Sequence, residues 1–190
     1  SYGYADALTA GLRNGTLDMA IAPLHPATVP ADLAFAPLLP GRNVIACRAG
    51  HPLTRRPAIT LADIEPYPWI APPTDSPLYR DLQRALKSIG KEEFRVSFSG
   101  GTFASIVSVL TRSDSLTVLP YSVVFLARKA LGLEALALKI EHPDRQLGLL
   151  TSRTQPAPPA LRRFAAFLGE EFKLLEARIQ HEDQITRRRG

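Results

Sequence analysis

The sequence predicts an α/β fold with a largely parallel sheet, and three observations carry that expectation. A short apolar strand runs into a helix start three times in mid-chain, near residues 71–77, 98–103 and 119–122. The 190 residues are 45% hydrophobic, enough chain and enough apolar surface to build a core. A final amphipathic helix follows one more strand, at 145–151, which repeats the same strand-then-helix order.

The elements follow in chain order. Ala5, Leu8 and Leu12 recur at helical spacing over residues 4–14, and Gly15 suits the stop. Residues 17–22 read as a short buried strand that should end abruptly at Pro23, with Leu17, Ala20 and Ile21 in the core. A strand pair is expected at 35–39 and 43–48, joined by Pro40-Gly41. Thr60-Leu-Ala-Asp63 has capping-box spacing with Asp in place of Glu. Strand 68–71 leads through Pro72-Pro73-Thr74-Asp75-Ser76 to a helix that Ser76 caps, Pro77 opens and Gly90 closes. Strand 95–98 leads through Ser99-Gly100-Gly101-Thr102 to a helix bearing Phe103, Ile106, Val107 and Leu110. Strand 116–119 ends in Pro120-Tyr121-Ser122, with a helix beyond. Pro158 and Pro159 open the last helix, whose apolar stripe is read as Leu161, Phe164, Ala165, Phe167, Leu168, Phe172 and Leu175. Residues 176–190 lose that periodicity and are expected to form a flexible basic tail.

Charge and cysteine content narrow the function. The net charge is +5, but Arg187, Arg188 and Arg189 supply three of the positive charges, and no basic stripe interleaves with aromatics. Direct nucleic-acid binding by these residues is therefore not favoured. The single cysteine, Cys47, excludes an internal disulfide and fits a reducing compartment. Neither a membrane-spanning run nor a secretory leader is recognisable. A cytoplasmic location is the expectation.

The order of the motifs resembles a known family. Leu8-Thr-Ala-Gly-Leu12-Arg-Asn-Gly15-Thr-Leu17-Asp18-Met-Ala20-Ile21 is followed by a strand pair, then Gly50-His51-Pro52-Leu53, then Thr60-Leu-Ala-Asp-Ile64. Pro68-Trp-Ile70, Leu116-Thr-Val-Leu119-Pro120 and a Pro-Ala-Leu-Arg-Arg-Phe164 helix complete the series. Together, over about residues 8–172, they resemble the effector-sensing domain of LysR-type transcriptional regulators, a variant of the type 2 periplasmic binding protein fold. The resemblance implies two Rossmann-like lobes joined by two crossover segments, with a cleft between them. The first lobe is expected at 1–66 plus 147–175 and the second at 67–146. It also implies a small-molecule effector, an organic acid, aromatic or neutral metabolite, and a homo-oligomer. DNA would be met only through a winged helix-turn-helix that these residues do not contain. The family's opening strand, helix and strand, which precede the segment matched here, are also expected to be absent.

Strand ends are where open α/β sheets bind ligands. On that rule the candidate effector-binding residues are Ala22, Pro23, Pro72, Thr74, Ser76, Gly100, Gly101, Thr102, Pro120 and Tyr121. Helix N-termini with free N–H groups attract carboxylates, and glycines permit close approach. Ser76 and Thr102 could equally serve only as caps. No arginine falls within the three junction motifs, which favours a monoanionic or neutral ligand over a dicarboxylate.

Catalysis and metal binding find little support. His25, His51, His142 and His181 have no metal-ligand spacing among themselves or with Cys47. Cys47 falls in an apolar strand, which suits an inert core thiol, and His51 suits a turn. Ser99-Gly100-Gly101-Thr102 lacks the lysine of a P-loop. No cofactor is expected. The competing readings are a solute-binding protein of a transporter, which shares the fold, and an enzyme on that fold, which lacks a plausible acid–base pair.

Overall fold

The computed structural model describes residues 5–100, 102–142, 144–155 and 157–189. It divides into two compact units, residues 1–41 with 144–190, and residues 42–143.

Unit 1 opens with helix α1 (Ala5–Arg13) and strand β1 (Met19–Leu24). Strand β2 (Leu33–Pro40) follows, and strand β8 (Gln146–Ser152) returns much later in the chain. The sheet order is β1-β8-β2, with both pairings antiparallel. Proline placement accounts for that order. Pro23 lies in β1 and Pro37 and Pro40 lie in β2, whereas β8 has none. A residue without an N–H fits a strand bonded on one side and not a central one. So β1 does not stop at Pro23: Pro23 and Leu24 still pair with Leu147 and Gln146. The ladder slips only in β2, between Pro37 and Leu39.

Burial in β1 alternates. Ala20 and Ala22 pack with Leu12, Leu33 and Leu150, while Ile21 is 37% exposed and Leu17 is half-buried. The expectation that Leu17, Ala20 and Ile21 are all core therefore fails for Ile21, because neighbouring strand residues face opposite sides. Arg13 at the end of α1 clasps Asp32 through two hydrogen bonds of 2.8 and 2.9 Å, which fixes the helix to the start of β2.

Helix α6 (Pro159–Arg189) lies against β2 and runs continuously through the segment expected to be a flexible tail. Residues 175–189 are rich in helix formers, and Arg178 and Glu182 stand four apart with opposite charges. Its expected single stripe splits in two. Leu161, Ala165, Leu168, Phe172, Leu175 and Ile179 are half-buried, whereas Phe164 and Phe167 are exposed.

Unit 2 begins with strand β3 (Asn43–Arg48) and the one-turn helix α2 (Leu61–Ile64). Three strand–helix pairs follow: β4 (Trp69–Ala71) with α3 (Pro77–Lys87), β5 (Val96–Ser99) with α4 (Phe103–Leu110), and β6 (Thr117–Pro120) with α5 (Tyr121–Leu131). A short strand β7 (Leu133–Ala135), unforeseen in the sequence, closes the unit after Gly132 ends α5 with φ 64°. The capping box at α2 is present, with Asp63 accepting from the Thr60 N–H at 2.8 Å.

Pairing in unit 2 is mixed and not largely parallel. β4 and β5 are parallel, and Ile70 N–H to Leu116 O (2.8 Å) with Leu116 N–H to Pro68 O (2.9 Å) extends parallel bonding towards β6. β3 then pairs antiparallel with both β6 and β7. The resulting order is β5-β4-β6-β3-β7. The strands expected to pair across Pro40-Gly41 do not: β2 joins β8, and β3 joins β6 and β7. Residues 42–66, placed with the first lobe by the resemblance, thus pack into unit 2, where Leu53, Ile59 and Ile64 share a core with Trp69, Leu82 and Leu116.

Helices cover both faces of this sheet. Ile45 and Cys47 pack on one side with α3, and Val44 and Ala46 pack on the other with α4 and α5. Trp69 is fully buried and meets Phe94 edge-on.

Candidate functional site

Because β4, β5 and β6 run parallel, their C-terminal ends lie on one edge of unit 2 and start α3, α4 and α5. The first turn of each helix leaves N–H groups without intrahelical partners. Those groups, with the positive ends of the helix dipoles, favour an anion.

At the first junction Pro72 is half-buried and Thr74 exposed. A turn from Ser76 N–H to Pro73 O (2.9 Å) brings Ser76 to the cap position, where its Oγ accepts from Tyr79 N–H at 3.2 Å. Ser76 is only 3% exposed. At the second junction Thr102 Oγ1 accepts from Ser105 N–H (3.2 Å) and donates to Ser105 Oγ (2.9 Å). Ser105 Oγ in turn donates to Thr102 O at 2.8 Å. The Thr102 hydroxyl is thereby engaged as donor and acceptor within its own helix start, although the residue is exposed. Gly100 is needed for packing: a Cβ there would strike the Phe98 ring and lie 3.0 Å from Ser105 Oγ. Gly101 lies outside the described residues.

The third junction has no loop. Pro120 ends β6 and Tyr121 begins α5, without a side-chain cap. Tyr121 N–H donates to Arg42 O at 2.8 Å, and the Arg42 guanidinium carbon stands 3.9 Å from the centre of the Tyr121 ring. The next residue, Asn43, pairs with Pro120 and donates its N–H to His142 Nδ1 at 3.2 Å. Burial foremost, then the charges of Arg42 and Lys139, push the His142 pKa below its ordinary value. Its unprotonated Nδ1 is the form this bond requires.

Arg42 corrects the expectation that the junctions hold no arginine. It is absent from the junction segments in sequence and reaches the third one through the antiparallel β3–β6 register. The apolar run of β3 signals a strand, but nothing local signals which strand it joins.

Ala22 and Pro23 belong to the other unit. Ala22 is fully buried, so its side chain is a core contact, and Pro23 is exposed at the end of β1. Beside them His25 Nδ1 accepts from Ala27 N–H at 3.1 Å, and its Nε2 lies 3.1 Å from Asp144 Oδ2. The ten candidates thus do not form one described cluster. Pro72, Thr74, Ser76, Gly100, Thr102, Pro120 and Tyr121 share the unit 2 edge.

The remaining chemistry-bearing residues have structural surroundings. Cys47 is buried, and desolvation with the nearby Glu134 pushes its thiol up to about 12. That makes it a poor nucleophile. His51, fully buried, accepts from Leu53 N–H through Nδ1 at 3.2 Å, with Nε2 3.3 Å from Asp114 O and its ring 4.6 Å from that of Tyr67. Among the described residues no group of three or more His, Cys, Asp or Glu could hold a metal ion. No described helix is long and apolar enough to cross a membrane.

The sequence model described as the LysR substrate binding domain matches residues 2–173. No curated relative matches the sequence. Among solved structures, the effector binding domain of QuiR in complex with shikimate is 20% identical, covers 90% of this chain and 79% of that chain, and has a TM-score of 0.65. A putative transcriptional regulator from Vibrio parahaemolyticus is 18% identical over 91% of this chain and 78% of its own, with a TM-score of 0.68. The bromide-bound regulatory domain of HypT from Salmonella typhimurium is 17% identical over 92% and 80%, with a TM-score of 0.63. At these identities the three structures establish likeness of fold.

Proposed function

Because the chain belongs to the LysR substrate binding domain family, we propose that it senses a small organic acid on behalf of a transcriptional regulator, with the acid held at the unit 2 edge. The observation that carries this reading is the parallel run of β4, β5 and β6, which delivers the N-termini of α3, α4 and α5 to one side. Arg42 adds a fixed positive charge at the third junction and favours a carboxylate over a neutral metabolite. The shikimate complex of a similar fold supports a hydroxylated acid as the first compound to try.

In this reading Pro72, Thr74, Gly100, Thr102, Pro120 and Tyr121 line the acid's surroundings. Ser76 acts through its cap. Binding shifts the protein between states only by the difference in the acid's affinity for them. The shift reaches DNA through a winged helix-turn-helix of the full-length regulator, in a homo-oligomer in the cytoplasm. The matched family and the similar regulator domains give no support to a transporter's solute-binding protein.

Titration calorimetry with shikimate and a panel of mono- and dicarboxylic acids tests the proposal. Saturable one-site binding of at least one acid, lost in Arg42→Gln, is the expected result. An absence of binding across the panel, or binding that Arg42→Gln leaves intact, counts against it.

A further inference from the structure

Helix α6 carries more apolar surface than its own unit covers. Leu161, Ala165, Leu168, Phe172, Leu175 and Ile179 form the half-buried stripe. Roughly a quarter-turn away, by the usual 100° per residue, a second stripe faces solvent. Phe164 is 51% exposed, Phe167 56%, Leu174 60% and Ile185 38%. The two phenyl rings stack on each other, with centroids 6.5 Å apart and planes at 19°.

The second stripe has a pattern. Residues 164, 167, 171, 174, 178, 181 and 185 alternate in steps of three and four, the spacing of a helix-pairing seam. Within it stand Glu171, Arg178 and His181, all exposed. The seam is self-complementary when read backwards. Phe164 answers Ile185, Phe167 answers His181, Glu171 answers Arg178, and Leu174 lies near the centre. A parallel partner would set Glu171 against Glu171 and Arg178 against Arg178. An antiparallel copy sets each carboxylate near the other's guanidinium, as an isologous two-fold contact requires.

We infer that the exposed seam of α6 is a homodimer interface, in which two copies of the helix pair antiparallel about a two-fold axis near Leu174. The inference gives a surface to the oligomer of the proposed function and rests on that part of it alone. Effector binding is a separate matter.

Two cysteine variants of the whole chain test both the surface and the direction. Near the axis, Leu174→Cys meets its own copy and should form a disulfide-linked dimer of twice 20.8 kDa under mild oxidation. Ten residues from the axis, Phe164→Cys is about 30 Å from its copy at 1.5 Å per residue, and should not. Cys47 is fully buried and does not compete. By sedimentation the unaltered chain should be a dimer and Leu174→Glu a folded monomer, since Leu174 is exposed in the single chain; the parent's melt should rise with protein concentration and that of Leu174→Glu should not. Glu171→Arg or Arg178→Glu should weaken the dimer, and the two together should restore it. A monomeric parent, a dimeric Leu174→Glu, or equal cross-linking of both cysteine variants overturns the inference. No effector is present in these measurements, so such a failure leaves the sensing role standing.

Discussion

The guanidinium of Arg42 rests on the ring of Tyr121, 3.9 Å from its centre, at the start of α5, which lacks a side-chain cap. A positive charge there strengthens the pull of the α5 N-terminus on an anion. Arg42→Gln keeps a hydrogen-bonding side chain and removes the charge. A hydrogen bond to a charged group is worth about 1.5–3 kcal/mol, so acid affinity should fall at least about tenfold by calorimetry. Without ligand the variant should also be about 1 kcal/mol less stable, because the contact of the guanidinium with the Tyr121 ring is lost while the backbone bond from Tyr121 N–H to the oxygen of residue 42 remains.

Thr102 and Ser76 separate capping from recognition. Both roles of the Thr102 hydroxyl are taken up by Ser105. Thr102→Val should therefore lower stability by about 1 kcal/mol in a denaturant melt and leave acid affinity within about twofold of the parent, roughly 0.4 kcal/mol. Ser76→Ala should cost a similar amount or less, because the Tyr79 N–H loses its side-chain acceptor and keeps Ser76 O at 3.1 Å. A tenfold affinity loss in Thr102→Val with stability intact would show that the hydroxyl serves the ligand.

The alternation of β1 sets a pair of opposite outcomes. Ala22 is fully buried, so Ala22→Asp buries an unpaired carboxylate and should cost at least about 3 kcal/mol, enough to abolish cooperative melting of unit 1. Ile21, one residue earlier, faces the other side and is 37% exposed. Ile21→Asp should leave a soluble, folded protein about 1 kcal/mol less stable. Circular dichroism melts of the two variants read the difference directly.

Stability should weaken on mild acidification. Burial holds the His51 pKa below its ordinary 6.5, and His142 is lowered for the same first reason. The unfolded chain therefore takes up these protons before the folded one does. Stability is full above about pH 6.5 and is lost as the pH falls towards and through the lowered folded values. A melting series from about pH 7.5 to about pH 5.5 should show the decline. His51→Asn should flatten part of it and keep the Leu53 cap, and adding His142→Asn should flatten the rest.

The local devices of this fold were legible and the non-local ones were not. Ser76, Thr102 and Thr60 announce helix starts because a short polar side chain can satisfy an N–H two or three residues away. That relation is complete within a few residues. The pairing of Asn43 with Pro120, which carries Arg42 to its place, joins residues far apart in sequence and leaves no mark near either. The same blindness hid β7 and turned an expected β2–β3 hairpin into strands of different sheets. The split of the α6 stripe was missed because Phe164 and Phe167 are as apolar as the residues beside them. Only the position of β2 tells which face is covered.

Unit 1 is assembled from two stretches of chain separated by the whole of unit 2. Its central strand, β8, is also the last strand made. On a ribosome, β1 and β2 must therefore emerge early and wait for about 100 further residues, several seconds of synthesis at usual rates, before either acquires its partner. Unit 2 is one contiguous stretch and can fold in that interval. A polypeptide halted near residue 145 would carry a finished unit 2 and two orphaned strands with open hydrogen-bonding edges, a species prone to associate with its own kind. Fractionating stalled nascent chains should accordingly find the arrest product in aggregates, and the product of a stop after residue 155, with β8 complete, in solution.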